Sequence, residues 1–510
     1  MSRSNAKNPF FEFLDKNRIS LIIALIHWII TFFTDKFIFT VSPIAEPLNY
    51  YPCKILLFIL LFVIWRAVIR HTPETMSILK YAAIYFVPII AVLIFKLPEG
   101  FLSNDETLIF QEASNLASYT WFYYITTWYY IISMMLIPAW FGPILVKVAI
   151  QLLVCGYVVH RLSKYLSAKY GMIQYLAFMI PPVLAYTTSA HRIPVYFLLY
   201  LFLLFTLLMD KLEEKSITRA KLLWILFLGA VLTQWRTEGI YFAVILPILL
   251  FLTYPELRNK RKAITLIVSA LIIQYIVAIP QNGILPNRMD DKANNRMGPF
   301  YAYTITNMMR NGLDREKNKD DLEKVAHYLN LDTIDAINND LGNINYEDVL
   351  ILYYPGYTGK IETATTEDYE LYTEGCRNIF INNPDVLLRT RIGAFDYAAT
   401  PYDIKWEQGG IKGFALFIVS IVKTIAYNLY IPHIILALLC LYSLIRRRWF
   451  TFFMTGGLIG HFIIVFILAP ASYFKYYFPI YFTMYFWLIL IFISLLWNRF
   501  NPDKKFSFIQ

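Results

Sequence analysis

VYFLLYLFLLFTLLM, residues 195–209, carries two tyrosines and one threonine among apolar side chains and no charge at all. Leu and Phe dominate it without alternating with polar residues, so it reads as a helix rather than as a strand of a membrane barrel. Comparable runs recur at 19–34, 56–68 and 487–497. With their neighbours, several reach the roughly 20 residues that cross the hydrocarbon core of a bilayer. The whole chain agrees: of 510 residues 58% are hydrophobic and only 16% charged, with a mean hydropathy of +0.49. Soluble domains hold about 45–50% apolar residues, so a water-soluble protein is excluded.

The net charge of +10 does not point to nucleic acid. Basic residues form short clusters between the apolar runs: at 3–18, at Arg66, Arg70 and Lys80, and at 161–169, 211–221, 258–262, 446–448 and 499–505. That is the distribution expected of cytoplasmic connections between membrane spans. Cys53, Cys155, Cys376 and Cys440 show no paired spacing, which supports neither a disulfide framework nor a zinc site. The N-terminus, with Arg3, Lys7, Lys16 and Arg18 ahead of a long apolar run, reads as a retained signal anchor.

If every basic cluster is cytoplasmic, the number of crossings between successive clusters is even. Hairpins at 19–41 with 53–69, 172–186 with 193–209, 222–236 with 240–254, and 450–468 with 478–497 satisfy this. The aromatic stretch 121–140 suits the interface better than the hydrocarbon centre, and 414–427 is expected to lie along the surface before 429–445 crosses. The expectation is an all-α polytopic membrane protein with about 12–13 transmembrane helices and both termini inside. Three segments follow from it. Residues 1–280 form an N-terminal membrane module whose first outer loop is 96–120. Residues 281–412 form a mainly helical extracytoplasmic domain, too long for an idle connection. Residues 413–510 carry the C-terminal membrane helices.

Several residues able to do chemistry fall outside the cytoplasm in this topology. SNDETLIFQEA, 103–113, brings Asp105, Glu106 and Glu112 just beyond the third span. There a carboxylate can act as a general base, or simply favour the start of a surface helix. TQWRTEGIY, 233–241, places Arg236 and Glu238 at the end of an apolar helix, where they either pair with each other or offer a guanidinium to a phosphate. SAHRIPVY, 189–196, adds His191 and Arg192, and PASYFKYYFP, 470–479, adds Lys475 and Tyr476. His191 alone reads as a base, a metal ligand or a polar turn residue. One topology, chosen from basic residues elsewhere, gathers all of them on one face. Carboxylates with cations suit a site that deprotonates an acceptor and neutralises a phosphate leaving group. Polyprenyl-phosphate sugars are substrates with that requirement, their tails lodged between helices. A divalent ion held by the carboxylates and a histidine is compatible with these residues, but no ligand spacing identifies one.

On SNDETLIF with Asp105 and Glu106, on the aromatic segment ending at Phe141 and Gly142 before a helix with Lys147, on the outer turns with Arg or His, and on Lys475–Tyr476, the layout resembles the GT-C superfamily of membrane glycosyltransferases. The resemblance implies a GT-C-like fold in which Asp105, and after it Glu106, is the catalytic base. It further implies that His191, Arg192, Arg236, Glu238, Lys475 and Tyr476 contact the substrates. The donor would be a polyprenyl-phosphate-linked sugar, and the acceptor a cell-envelope polysaccharide, teichoic acid, lipid or protein. The enzyme would be bacterial, multi-pass in the plasma membrane, with an extracytoplasmic active site. Two spans precede the helix leading into the acidic loop, where the family usually has one, and the double proline of several members is absent. Two alternatives stand beside this reading. A polysaccharide polymerase or ligase would centre its chemistry on Arg377, Arg389 and Arg391; a flippase or transporter of lipid-linked glycans would show matching halves and charges near the midplane.

Overall fold

The computed structural model describes residues 9–96, 104–117, 123–281, 298–340, 359–404 and 410–510. Among the described residues there is no β-strand, only an isolated bridge between Leu329 and Lys360. The helices are α1 (Pro9–Thr34), α2 (Pro47–Ile69), α3 (Pro73–Lys96), α4 (Asn104–Ser114), α5 (Tyr124–Leu136), α6 (Gly142–Tyr165), the short α7 (Ala168–Gly171), α8 (Tyr175–Phe178) and α9 (Pro181–Thr187), then α10 (Ile193–Leu212), α11 (Arg219–Thr233), α12 (Phe242–Thr253) and α13 (Lys260–Ile279). After these come α14 (Gly298–Arg310), α15 (Lys319–Ala326), α16 (Leu331–Asp340), α17 (Thr366–Asn382), α18 (Pro384–Ala399), α19 (Gly410–Ala426), α20 (Tyr430–Ile445), α21 (Trp449–Leu468) and α22 (Phe478–Phe500). Prolines open α2, α6, α9 and α10, at positions where an N–H would have had no intrahelical partner. Thr218 and Asn259 cap α11 and α13 by accepting from Lys221 N and Arg261 N.

Nine helical segments among the described residues are long and apolar enough to cross a membrane, fewer than the 12–13 expected. The difference lies at 172–186, 222–236 and 240–254. Pro181 and Pro182 divide the first into α8 and α9, since proline cannot supply the N–H that continues a helix. The other two form α11 and α12, of 15 and 12 residues, or about 22 and 18 Å of helix rise.

The chain forms two compact units. The first comprises Met1–Thr237, Thr253–Gln281 and Leu488–Phe508; the second comprises Glu238–Leu252, Asn282–Trp487 and Ile509–Gln510. At the centre of the first is α10, 89% buried along its apolar window, whereas the windows of α3 and α13 are 17% buried and present rows of large aliphatic side chains outward. That is what central and lipid-facing positions require. Helices α3 and α6 pack closely and antiparallel: His160 Nδ1 lies 2.8 Å from Ser77 Oγ near one end, and Gln151 donates to Tyr85 further along. Gly156 makes this crossing possible, because a Cβ there would stand 2.5 Å from the Ile78 carbonyl oxygen.

Helices α6 and α10 run parallel. Lys147 near the start of α6 reaches the turn before α10, and Arg161 near its end meets Asp210 near the end of α10. The chain between them must therefore return through the unit, and the broken segment 168–187 does so. Gly171 packs on Ser163, Phe178 O accepts from Tyr85 OH, and Ala190 O accepts from Tyr130 OH. Irregular backbone at membrane depth is tolerated only where protein surrounds it, and Ala177, Phe178 and Val183 are wholly buried. The stretch 172–186 thus passes from one end to the other without being a span-length helix.

The second unit contains a bundle, α14–α18, around Tyr303, Ile305, Met308, Val325, Leu329, Tyr372 and Ile379. A reciprocal cap between Thr365 and Asp368 starts α17. Helices α20 and α21 pack together, and Gly457 of α21 receives Ile245 and Tyr241 of the α12 region.

Candidate functional site

Glu106 lies in the first turn of α4, on the face that also carries Ile109 and Ala113, three and seven positions on. All three are completely buried. Ile109, Ala113 and Leu116 pack with Tyr130, Ile131 and Met134 of α5; this apolar contact carries the carboxylate inward with it. The far end of α4 is held by Asn49, which donates to Leu116 O at 2.8 Å and accepts from Trp128 Nε1 at 3.0 Å.

His191 and Arg192 meet Glu106 there. His191 Nδ1 stands 3.0 Å from Oε2, and Arg192 Nη1 donates to Oε1 at 3.4 Å. The histidine contact has ion-pair distance without the alignment of a formed hydrogen bond, and a modest ring rotation would supply it. Such contacts commonly tighten when substrate binds. The Tyr186 ring lies 5.0 Å from the imidazole. Glu106 is inaccessible, but the His191 and Arg192 side chains keep 21% and 13% exposure. The acid therefore holds two side chains that themselves reach outward.

The turn bearing these side chains is gripped through its backbone. Lys147, itself 1% exposed, donates to the carbonyls of Ser189 and His191, and Tyr130 donates to the carbonyl between them, Ala190. Three consecutive carbonyls are thus satisfied by side chains of α5 and α6. Arg236 belongs to the same end of this unit. Trp235 stacks obliquely 5.6 Å from Tyr129, whose hydroxyl donates to Pro143 O at the start of α6. Arg236 is buried to 8% exposure.

The opposite end is differently built. Arg161 pairs with Asp210 at 2.6 Å and with Glu213 at 3.0 Å; Lys221 and Tyr254 also reach Asp210. Lys147 and Arg161 lie 14 positions apart on α6, about 21 Å along a helix. Two polar layers therefore close a largely apolar interior, and the exposed basic residues Lys164, Lys215, Arg219, Lys260, Arg261 and Lys262 accompany the Arg161 layer.

Comparison with known protein families, curated proteins and solved structures finds no match.

Asp105 lies within α4, but its side chain falls outside the described residues. Burial holds the Glu112 carboxyl above its usual range. Glu238, Lys475 and Tyr476 belong to the second unit. There Glu238 is buried, Tyr241 meets the His461 ring at 5.6 Å, and His461 Nε2 lies 3.0 Å from Tyr476 O. Lys475 Nζ sits 4.5 Å over the Tyr473 ring. The three arginines of the ligase alternative do not share one environment: Arg377 donates to the backbone of its own helix, Arg389 pairs with Asp385 at the surface, and Arg391 is buried. Among the described residues no group of three His, Cys, Asp or Glu side chains is placed to hold a metal ion. Sequence reasoning did not single out Tyr130. Nor did it find the buried pair Lys54–Asp35, at 2.6 Å, with Tyr50 donating to the same carboxylate; a lysine at an apolar register of a span was the available signal.

Proposed function

We propose that this chain is a membrane glycosyltransferase of GT-C type that moves a sugar from a polyprenyl-phosphate donor to a cell-envelope acceptor on the extracytoplasmic face of the plasma membrane. One observation carries the reading: a wholly buried carboxylate, Glu106, fixes His191 and Arg192 at the end of the membrane unit away from its basic connections. Under the positive-inside rule the Arg161 end is cytoplasmic, and the Glu106 end faces the other compartment.

In this mechanism His191 and Arg192 meet the departing phosphate, with Arg236 as a third cation. Their charge is organised before the reaction, so little reorganisation accompanies bond breaking. Asp105 takes the acceptor's proton as its oxygen attacks the anomeric carbon and the sugar–phosphate bond breaks, leaving polyprenyl phosphate. Glu106 is a positioning residue, since it has no surface to offer an acceptor. The resemblance also assigns substrate contacts to Glu238, Lys475 and Tyr476.

The test is conversion of a polyprenyl-phosphate sugar and an extracted envelope acceptor by the purified chain in detergent. Transfer without a sealed compartment, lost in Asp105→Asn and retained in an exposed control variant such as Lys215→Ala, is the expected result. If donor stays intact in detergent while reconstituted vesicles move lipid-linked glycan between leaflets, the protein is a flippase and the proposal fails.

A further inference from the structure

Arg391, on α18 in the second unit, is only 4% exposed. Its Nη1 donates to Ala469 O at 2.8 Å and its Nη2 donates to the Thr304 hydroxyl. The guanidinium carbon lies 5.0 and 5.9 Å from the ring centres of Phe300 and Tyr303. Nε meets no acceptor, and no carboxylate among the described residues makes an ion pair with it. Arg161, by contrast, is buried with two carboxylates.

A buried cation left without an anion is strongly disfavoured. Here the partial compensation consists of two aromatic faces and one carbonyl. That carbonyl belongs to Ala469, the residue that ends α21. A positive excess remains, and burial holds the guanidinium down at about 10. Guanidinium offers five N–H groups, and two of them have partners among the described residues. Beside it, Tyr303 and Ser472 share a hydroxyl–hydroxyl hydrogen bond, so further hydroxyls border the charge. The span-length helix α21 ends at this point, the level at which lipid phosphates lie when such a helix crosses a bilayer.

We infer that Arg391, with Thr304 and the Tyr303–Ser472 pair, forms a phosphate-binding site in the second unit. Its ligand is a phosphate group presented either by a lipid or by free phosphate. The inference stands independently of the transferase reading. It is tested with the full chain in dodecyl maltoside, by following thermal unfolding while titrating dodecyl phosphate in one arm and inorganic phosphate in the other. Dodecyl phosphate is expected to raise Tm saturably. An equal rise with inorganic phosphate identifies free phosphate as sufficient; a rise with the amphiphile alone identifies a lipid headgroup. Arg391→Met should unfold no earlier than the wild type without ligand, because it removes an uncompensated charge; its Tm response to dodecyl phosphate should be diminished, and should vanish when Arg391→Met is made in an Arg192→Ala/Arg236→Ala background that lacks the donor-phosphate cations of the first unit. Arg391→Lys keeps the charge but loses the planar fork, and its Kd should rise roughly 10-fold or more. No Tm response in either arm, an undiminished response in Arg391→Met, or unchanged affinity in Arg391→Lys would overturn the inference; if Arg391→Met does not fold, the lysine variant decides.

Discussion

At the scale of single residues, the burial of Glu106 decides what it can do. Glu106 shares its helical face with Ile109 and Ala113 and goes inward with them; it acts through His191 and Arg192. Glu106→Gln should leave the chain folded and raise the donor KM, with kcat lowered by about 100-fold because displaced cations no longer meet the leaving group. Glu106→Asp should restore part of kcat. Steady-state kinetics with varied donor distinguish this from a structural defect, which would lower the amount of active protein and leave KM unchanged. Arg236→Ala should weaken donor binding roughly 10- to 100-fold and acceptor binding hardly at all; equal losses for both substrates would assign Arg236 a structural role.

At the scale of elements, two contacts make quantitative expectations. The α3–α6 crossing has no room for a side chain at Gly156. Gly156→Val should cost about 1–3 kcal/mol or more, as overpacked interiors do, and would be read as a lower Tm in detergent. A variant with wild-type Tm would contradict the close approach of α3. At the start of α17, hydrogen bonds from the backbone and hydroxyl of Thr365, and then His327, hold the Asp368 carboxyl below its usual range. A carboxyl depressed in the folded state contributes stability above its unfolded pKa, and that contribution is lost as pH falls through its folded pKa. Relative to its intrinsic rate at each pH, amide exchange in the first turn of α17 should therefore quicken on acidification. Thr365→Ala, losing a cap worth about 1 kcal/mol, should quicken it several-fold already at neutral pH. Pulse-labelled exchange read by mass spectrometry checks both; an unaltered first turn in Thr365→Ala would show that the cap is not limiting.

At the scale of the whole molecule, the two polar layers of the first unit define its orientation. Thr40, whose amide donates to Ser114 O, is exposed at the Glu106 end; Lys215 is exposed at the Arg161 end. With Cys440 replaced by Ser, and Cys53, Cys155 and Cys376 buried, Thr40→Cys should react with an impermeant maleimide in intact cells. Lys215→Cys should react only after permeabilisation. Labelling of both from one side would remove the common compartment that the transferase proposal needs.

Composition, apolar runs and basic clusters were sufficient to establish an all-helical membrane chain, because span length and lipid solvation act on every residue alike. The same arithmetic read 172–186 as a return passage, and the chain does return there. What sequence could not show is that Pro181 and Pro182 would break that passage, or that α11 and α12 would be too short for ordinary spans; those depend on what protein surrounds them. Nor could spacing reveal that Lys147 and Tyr130 hold three successive carbonyls of the His191 turn, since these residues are 42 to 60 positions from their partners. Hydrophobicity is a property of each residue and can be summed along a chain. A buried carboxylate meeting a histidine and an arginine is a property of positions in space, and only the packing of α4, α5, α6 and α10 decided it.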